Sequence, residues 1–306
     1  MAEKKTTTGK KTPPAGVKST AADKKTTAAD NKTKGTTPAA GTTAGKKTPP
    51  AGKTAGKSPA RIRAGVGDGI PEPCPAVLRE ALDNDRLDLG DELLAVLSSA
   101  YGNGDGPSEE RRRWQDGVIL DWISPGSYVL DLGCGHGELL GKLIAEMGVH
   151  GQAVEVDPEA AMDAMELGVP VLNIDISEVL GDFRDKSFDF VILESTVQTL
   201  RDPMGVLGQM LRVGKRCVVS FPNFGHWRTR RDLAATGRMP VTSSLPFQWY
   251  DTPNIRVLTV KDFLDWARRY DVTVDKAYGY CGGRVRPIAE RDNLVTEEAL
   301  MFISRD

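Results

Sequence analysis

From Ser127 onward, short apolar runs alternate with stretches in which apolar residues recur every three or four positions. The runs 128–132 (YVLDL), 152–156 (QAVEV), 169–174, 188–193 (FDFVIL) and 216–221 (RCVVSF) read as strands. Between them, 138–147 gathers Leu139, Leu140, Leu143 and Ile144 on one face. Residues 158–167 open on a proline suited to a first helical turn, and 203–212 follow the same rule. Strands that are nearly continuous in apolar residues are buried on both faces, so this alternation predicts an α/β domain whose parallel sheet carries helices on both sides. Further on, Thr259 suits a helix cap, and 272–274 and 299–304 supply two last strands. The Gly- and Arg-rich segment 279–287 reads as a loop between them. The expectation is a mostly parallel seven-stranded sheet, with ligands outside the carboxyl ends of its strands.

The pattern weakens toward the N-terminus. Residues 75–82 and 88–101 show helical spacing (Leu89, Leu93, Leu94, Val96, Leu97), which the run GNGDGP at 102–107 breaks. Ser108, followed by Glu109 and Glu110, suits a helix start, with Trp114, Val118, Ile119 and Trp122 on one face. Residues 61–107 thus form a helical lead-in to a domain over 108–306.

Residues 1–60 have no periodicity at all. They hold 13 Lys, 14 Thr and 3 acids, a net charge of +10, with Met1 and Val17 as the large apolar side chains. Such a segment cannot offset its ordering entropy, and disorder is expected. The rest of the chain holds 27 basic and 39 acidic residues, so the overall −2 joins a basic tail to an acidic body of −12. The GKT and GKS fragments at 52–58 lack the glycine four residues earlier and have no strand before them, which argues against a phosphate-binding loop. A tail without Arg or aromatics, on an acidic body, argues against nucleic acid as a partner. No apolar run reaches 18 residues, so no membrane partner is expected, and no apolar stretch follows the first lysines as in a secretory signal. Four scattered cysteines form no C-x-x-C pair. They point to a reducing cytoplasm, with neither a metal site nor a disulfide framework.

The candidate chemistry lies at three successive strand ends. The first strand runs through Asp131 into Gly133, Cys134, Gly135, His136 and Gly137, and then directly into a helix. Such a turn lets a ligand approach backbone N–H groups at a helix N-terminus. Its G-x-G-x-G spacing is not that of dinucleotide turns, and Asp131 would repel a pyrophosphate but suit an ammonium. Glu155, with Val156 beside it, ends the second strand where a carboxylate can accept from both ribose hydroxyls. Asp175 follows the third, able to accept from an adenine amino group while Ile176 packs on the ring. Each acid alone could equally be a solvated loop residue; three in order form a pattern. Glu194, past the fourth strand, faces the place of an acceptor.

The runs V-L-D-L-G-C-G-H-G (129–137), N-I-D-I (173–176) and S-F-D-F-V-I-L (187–193) resemble class I S-adenosylmethionine-dependent methyltransferases. That resemblance implies a Rossmann-like class I methyltransferase fold with S-adenosylmethionine or S-adenosylhomocysteine as the bound nucleoside. A second resemblance covers about 127–270. The runs S-F-P-N-F-G-H-W (220–227), G-R-M-P (237–240) and L-P-F-Q-W-Y-D-T-P-N-I (245–255) are similar to the MetW family of methionine biosynthesis, as are Gln198–Leu200 and Met210–Gly214. It implies homoserine O-acetyltransferase as partner. Two roles stand open: a nucleoside-binding activator of that enzyme, or a methyltransferase on an unidentified small acceptor.

The stretch 221–256 forms an aromatic insert in which ring-bearing residues alternate with polar ones. Asn223, His226, Trp227, Gln248, Trp249, Tyr250 and Asp251 would form a partner or acceptor surface; a stabilising lid on the sheet edge fits the pattern equally well. His226 is the plausible general base, with Glu194 the other catalytic candidate. His150 reads as ordinary surface.

Overall fold

The computed structural model describes Glu80, residues 90–101 and residues 113–305. The expectations for the tail 1–60, for a helix over 75–82 and for a helix start at Ser108 lie outside the described residues. Helix α1 (Asp91–Ala100) precedes α2 (Trp114–Leu120). The alternating part follows as β1 (Tyr128–Leu132), α3 (Glu138–Met147), β2 (His150–Val154), α4 (Pro158–Glu166), β3 (Val171–Leu172) and α5 (Ile176–Val179). It continues with β4 (Phe188–Leu193), α6 (Pro203–Val213), β5 (Gly214–Pro222), α7 (Trp227–Thr236) and α8 (Val260–Arg269). The chain closes with β6 (Thr273–Cys281), β7 (Arg284–Pro287) and β8 (Glu298–Ser304).

These strands form one sheet in the order β3-β2-β1-β4-β5-β8-β6-β7. The first five in that order run parallel, whereas β8 is antiparallel to β5 and β6, and β7 is antiparallel to β6. The sheet is therefore mixed and eight-stranded, not seven-stranded. The difference lies in 279–287, which is a hairpin and not a loop. Gly282 and Gly283, at φ +56° and +83°, make the two-residue turn that a tight hairpin needs, and Tyr280 pairs with Val285 across it. The return strand carries Arg284, Arg286 and Pro287, residues that protect a sheet edge rather than announce a strand.

Period-two alternation along the buried strands feeds two apolar layers. Leu130, Leu132, Val191 and Leu193 pack on one face with α6 and α8; Val129, Phe190, Ile192 and Val218 pack on the other with α3. Helix α1 sends Leu93 and Leu97, with the following Tyr101, into the first layer, so this lead-in helix belongs to the core of the domain. The Thr259 expectation holds: its hydroxyl accepts from Asp262 N and the Asp262 carboxylate accepts from Thr259 N, a reciprocal cap for α8.

Candidate functional site

The turn after β1 is built by three left-handed glycines, Gly133, Gly135 and Gly137, at φ +76°, +54° and +77°. Two of them are also required by close packing. A Cβ at Gly133 would lie 2.8 Å from Thr196 Oγ1, and one at Gly137 would lie 2.6 Å from Ala164 Cβ. At Gly135 a Cβ would meet nothing within 4 Å, so the middle of the turn faces open space at the start of α3. Glu155, just beyond β2, is buried and holds the turn: its Oε2 accepts from Gly135 N (2.8 Å) and its Oε1 from Asp157 N (2.9 Å). Asn173 Nδ2 donates to the carbonyls of Glu155 (2.8 Å) and Val156 (3.1 Å), fastening the end of β2 to β3. Val156 beside them is 64% exposed, an apolar side chain left open at a strand end.

The other expected residues fall in distinct surroundings. Asp175 is exposed and caps α5, its Oδ1 accepting from Ser177 Oγ (2.6 Å) and Ser177 N (2.8 Å). Those two bonds hold its carboxyl below the ordinary range. Ile176 is buried in the core. His136 is exposed, with Nδ1 2.8 Å from Asp163 Oδ2. Cys134 is half-buried, and burial with the carboxylates of Asp131 and Glu155 nearby pushes its thiol up to about 12, which leaves no thiolate for nucleophilic chemistry at neutral pH.

Beside the turn lies a group of carboxylates near enough to feel one another's charge. Burial, with the charges of Glu155 and Asp116, pushes Asp131 up to about 7. Glu194, half-buried one residue past β4, is pushed up to about 8 by burial and by Asp116 and Asp131, with Arg113 opposing. The first turn of α2 brings Asp116 into range of this group. Asp116 Oδ2 accepts from Arg113 Nε (2.8 Å) and Lys142 Nζ (3.0 Å), and Arg113 also pairs with Glu138. Trp114 Nε1 (2.9 Å) and Gln115 Nε2 (3.2 Å) both donate to Glu298 Oε2. Behind Glu194, Ser195 takes a left-handed φ of +47°, with its N–H donating to Ser220 Oγ at 2.8 Å. Sequence reasoning missed Gln115, Asp116 and Glu298. Trp114 was legible as an apolar helix-face residue, but Gln115 and Glu298 meet across 183 residues and carry no local signature.

The insert divides. Asn223, His226 and Trp227 are buried, a correction to their expected place on a partner or acceptor surface. Asn223 Nδ2 donates to the carbonyls of Asn293 and Thr296 (2.7 Å each), and its Oδ1 accepts from Gly225 N (3.0 Å) and Val260 N (3.2 Å). Such saturation makes it a structural clamp. Trp227 is 1% exposed, part of the core beneath Arg228 and Arg231. Gln248 and Asp251 are exposed, as are Trp249 (75%) and Tyr250 (70%), whose rings meet edge-on at 5.6 Å. Phe247, Ile255, Val257, Met239 and Val241 are exposed in the same stretch. The insert is tied down where Gln198 O accepts from the N–H groups of Ile255 and Arg256, at 2.9 Å each.

Comparisons with known proteins identify the family. A curated relative, the "Bifunctional methionine biosynthesis protein MetXA/MetW" of Rhodopirellula baltica, is 32% identical over 212 residues, covering 65% of this chain and 34% of that protein. A "Ubiquinone biosynthesis O-methyltransferase" of Xanthomonas campestris is 29% identical over 126 residues, covering 38% of this chain and 52% of that one. The chain thus spans about a third to a half of the length of these relatives. Among solved structures, a SAM-dependent methyltransferase from Thermotoga maritima, described as a possible histamine N-methyltransferase, aligns at 16% identity and TM-score 0.47. It covers 65% of this chain and 95% of that one. A SAM dependent methyltransferase from Archaeoglobus fulgidus aligns at 17% identity and TM-score 0.44, covering 70% and 100%. The family profile described as methionine biosynthesis protein MetW matches residues 113–303, well over half of the sequence and all of the sheet but its last residue, and the chain belongs to that family.

Proposed function

We propose that this chain binds S-adenosylmethionine over the carboxyl ends of β1 and β2 and serves methionine biosynthesis beside homoserine O-acetyltransferase. The observation that carries the nucleoside reading is the open middle of the turn at Gly135, held by Glu155. Backbone N–H groups at the start of α3 are accessible there without a Cβ in the way. The residues present fit the molecule. Each Glu155 oxygen accepts one backbone N–H and keeps a lone pair for a ribose hydroxyl. Val156 offers an apolar side chain to the base, Asp175 an acceptor for its amino group, and Asp131 a buried counter-charge for the ammonium. When bound, the nucleoside supplies an electrophilic methyl group; the chain's own residues bind it, orient it and exclude water.

The partner reading is supported by the Rhodopirellula baltica relative, whose description joins MetXA and MetW in one bifunctional protein. In this reading the exposed stretch Phe247–Tyr250 docks the acyltransferase, and the free thiols Cys134, Cys217 and Cys281 suit a reducing cytoplasm. The second reading, methyl transfer to a small acceptor, draws on Glu194, a carboxyl titrating near neutrality beside the turn. Calorimetric titration with S-adenosylmethionine and S-adenosylhomocysteine, with and without homoserine O-acetyltransferase, tests both. Saturable binding of the nucleosides and complex formation with the enzyme are expected. Absence of nucleoside binding by the folded chain refutes the first reading, and absence of a complex refutes the partner.

A further inference from the structure

Helix α4 turns its large apolar side chains outward. Its buried side is Ala160, Ala161 and Ala164. Close packing against the glycine turn leaves no room for a larger residue at 164, since a Cβ at Gly137 would already come within 2.6 Å of Ala164 Cβ. Met162 and Met165, neighbours at i and i+3 on the solvent side, are 58% and 48% exposed, and Leu167 at the helix end is exposed as well. Core packing does not call for these side chains. Glu159, Asp163 and Glu166 stand exposed among them. The whole stretch 143–183, which supplies β2, α4, β3 and α5, holds nine acids and neither Lys nor Arg. Strand β3 is the outermost of the parallel strands, so this edge of the sheet carries an acidic face with methionines, which adapt to many contact shapes, at its centre.

The insert offers the complement. Residues 221–256 hold five Arg against two acids, together with the exposed rings of Trp249 and Tyr250. The exposure of both faces shows that neither covers the other within one chain. We propose that a second copy of this chain covers them: the insert of one molecule seats Trp249 and Tyr250 on Met162 and Met165 of another. Opposite charge selects which faces meet, and thioether–aromatic contact holds them. The Lys-rich residues 1–60 match the acids of the α4 face, but they bring only Met1 and Val17 as large apolar side chains to its centre, which makes the insert the better occupant. A contact between unlike faces either closes as a reciprocal pair or continues head to tail. Rings engaged in this way are withheld from any other partner. The self-contact requires neither the nucleoside nor the acyltransferase reading to hold.

Sedimentation equilibrium of the full chain, without nucleoside or acyltransferase, over a concentration series at low and at high salt provides the test. Reversible self-association is expected, weaker at high salt because opposite charges contribute to it. Trp249→Ala on one face and Met165→Arg on the other should each weaken it by about tenfold or more, as loss of a central anchor does. Both positions are exposed, so the variants should fold, and Tyr250→Ala and Glu166→Lys repeat the two arms independently. Mixing decides the matter. Trp249→Ala keeps an intact α4 face and Met165→Arg keeps an intact insert, so the two should associate with each other more tightly than either does with itself. A monomer at every concentration overturns the proposal. Loss of association in the α4 variants alone overturns it too, because that face then meets its own kind or residues 1–60. Loss in the insert variants alone, or no gain on mixing, does the same. Failure of the acyltransferase to bind, with self-association intact, refutes the partner reading and leaves this one standing.

Discussion

Burying Asp131 with Glu155 and Asp116 in range makes the stability of this fold depend on pH. Its folded titration point of about 7 lies above the ordinary 3.8, so the native state keeps a proton that the unfolded state has already lost. Stability therefore falls as pH rises from about 4 to about 7, and the full penalty is present above that. Asp131→Asn removes the titration. Without ligand it should match the parent near pH 4 and exceed it by pH 8, by on the order of 2–4 kcal/mol, since each pH unit separating the folded from the unfolded titration point is worth about 1.4 kcal/mol. Urea midpoints at the two pH values measure this, and parallel behaviour of the two proteins would contradict the burial argument. Glu155 carries the opposite kind of weight, as a charged acceptor with its bonds made. Glu155→Ala should weaken S-adenosylmethionine binding by about 1.5–3 kcal/mol, the worth of hydrogen bonds to a charged group. Unaltered affinity in a folded variant would leave Glu155 as a clasp for the turn alone. These two residues were legible in the sequence because each belongs to a strand end that runs directly into a turn. Gln115 and Glu298 were not, since their chemistry arises only when α2 crosses the end of β8.

At the scale of elements, the insert shows how one motif serves two ends. Its first part, through Trp227, is a buried joint: Asn223 bonds to the carbonyls of Asn293 and Thr296, and to the N–H groups of Gly225 and Val260. Asn223→Ala leaves four buried backbone groups without their partner. At about 1–3 kcal/mol for each group that stays unsatisfied, the loss should reach at least about 3 kcal/mol, read as a lowered urea midpoint with an unchanged slope. A change below about 1 kcal/mol would mean that water replaces the clamp. The sequence showed polar residues among aromatic ones, but it could not tell a clamp from a contact surface, because burial depends on residues 70 positions away. The same limit explains the hairpin of β6 and β7. Its Gly282-Gly283 turn was visible, yet a four-residue edge strand of Arg, Val and Pro has too little apolar alternation to be read as a strand. Strands β1, β4 and β5 were legible, since runs buried on both faces need no partner to be recognised, whereas β2 is buried only at Ala153 and Val154.

Across the whole molecule, charge and apolar exposure separate the insert from the rest. Residues 61–306 carry a net −12, yet 221–256 hold five Arg against two acids, among the exposed rings of Phe247, Trp249 and Tyr250. Exposed rings among cationic side chains would suit a docking surface for an acidic partner, the reading proposed above. Trp249 and Tyr250 stack edge-on against each other with most of their area in solvent, so truncating either should leave stability within about 0.5 kcal/mol. If homoserine O-acetyltransferase seats here, Trp249→Ala and Tyr250→Ala should each cost about 2 kcal/mol of binding, roughly thirtyfold, as buried aromatic anchors do. Nucleoside affinity should be unchanged, because neither ring belongs to the turn at Gly135 or to the Glu155 carboxylate that holds it. A lid closing over a methyl acceptor makes the contrary forecast: partner binding survives both changes, and any methyl transfer falls while the nucleoside still binds. Pull-down of the acyltransferase, nucleoside calorimetry and a methyl-transfer assay on the same two variants separate these outcomes, and full retention of the enzyme by both would overturn the partner surface.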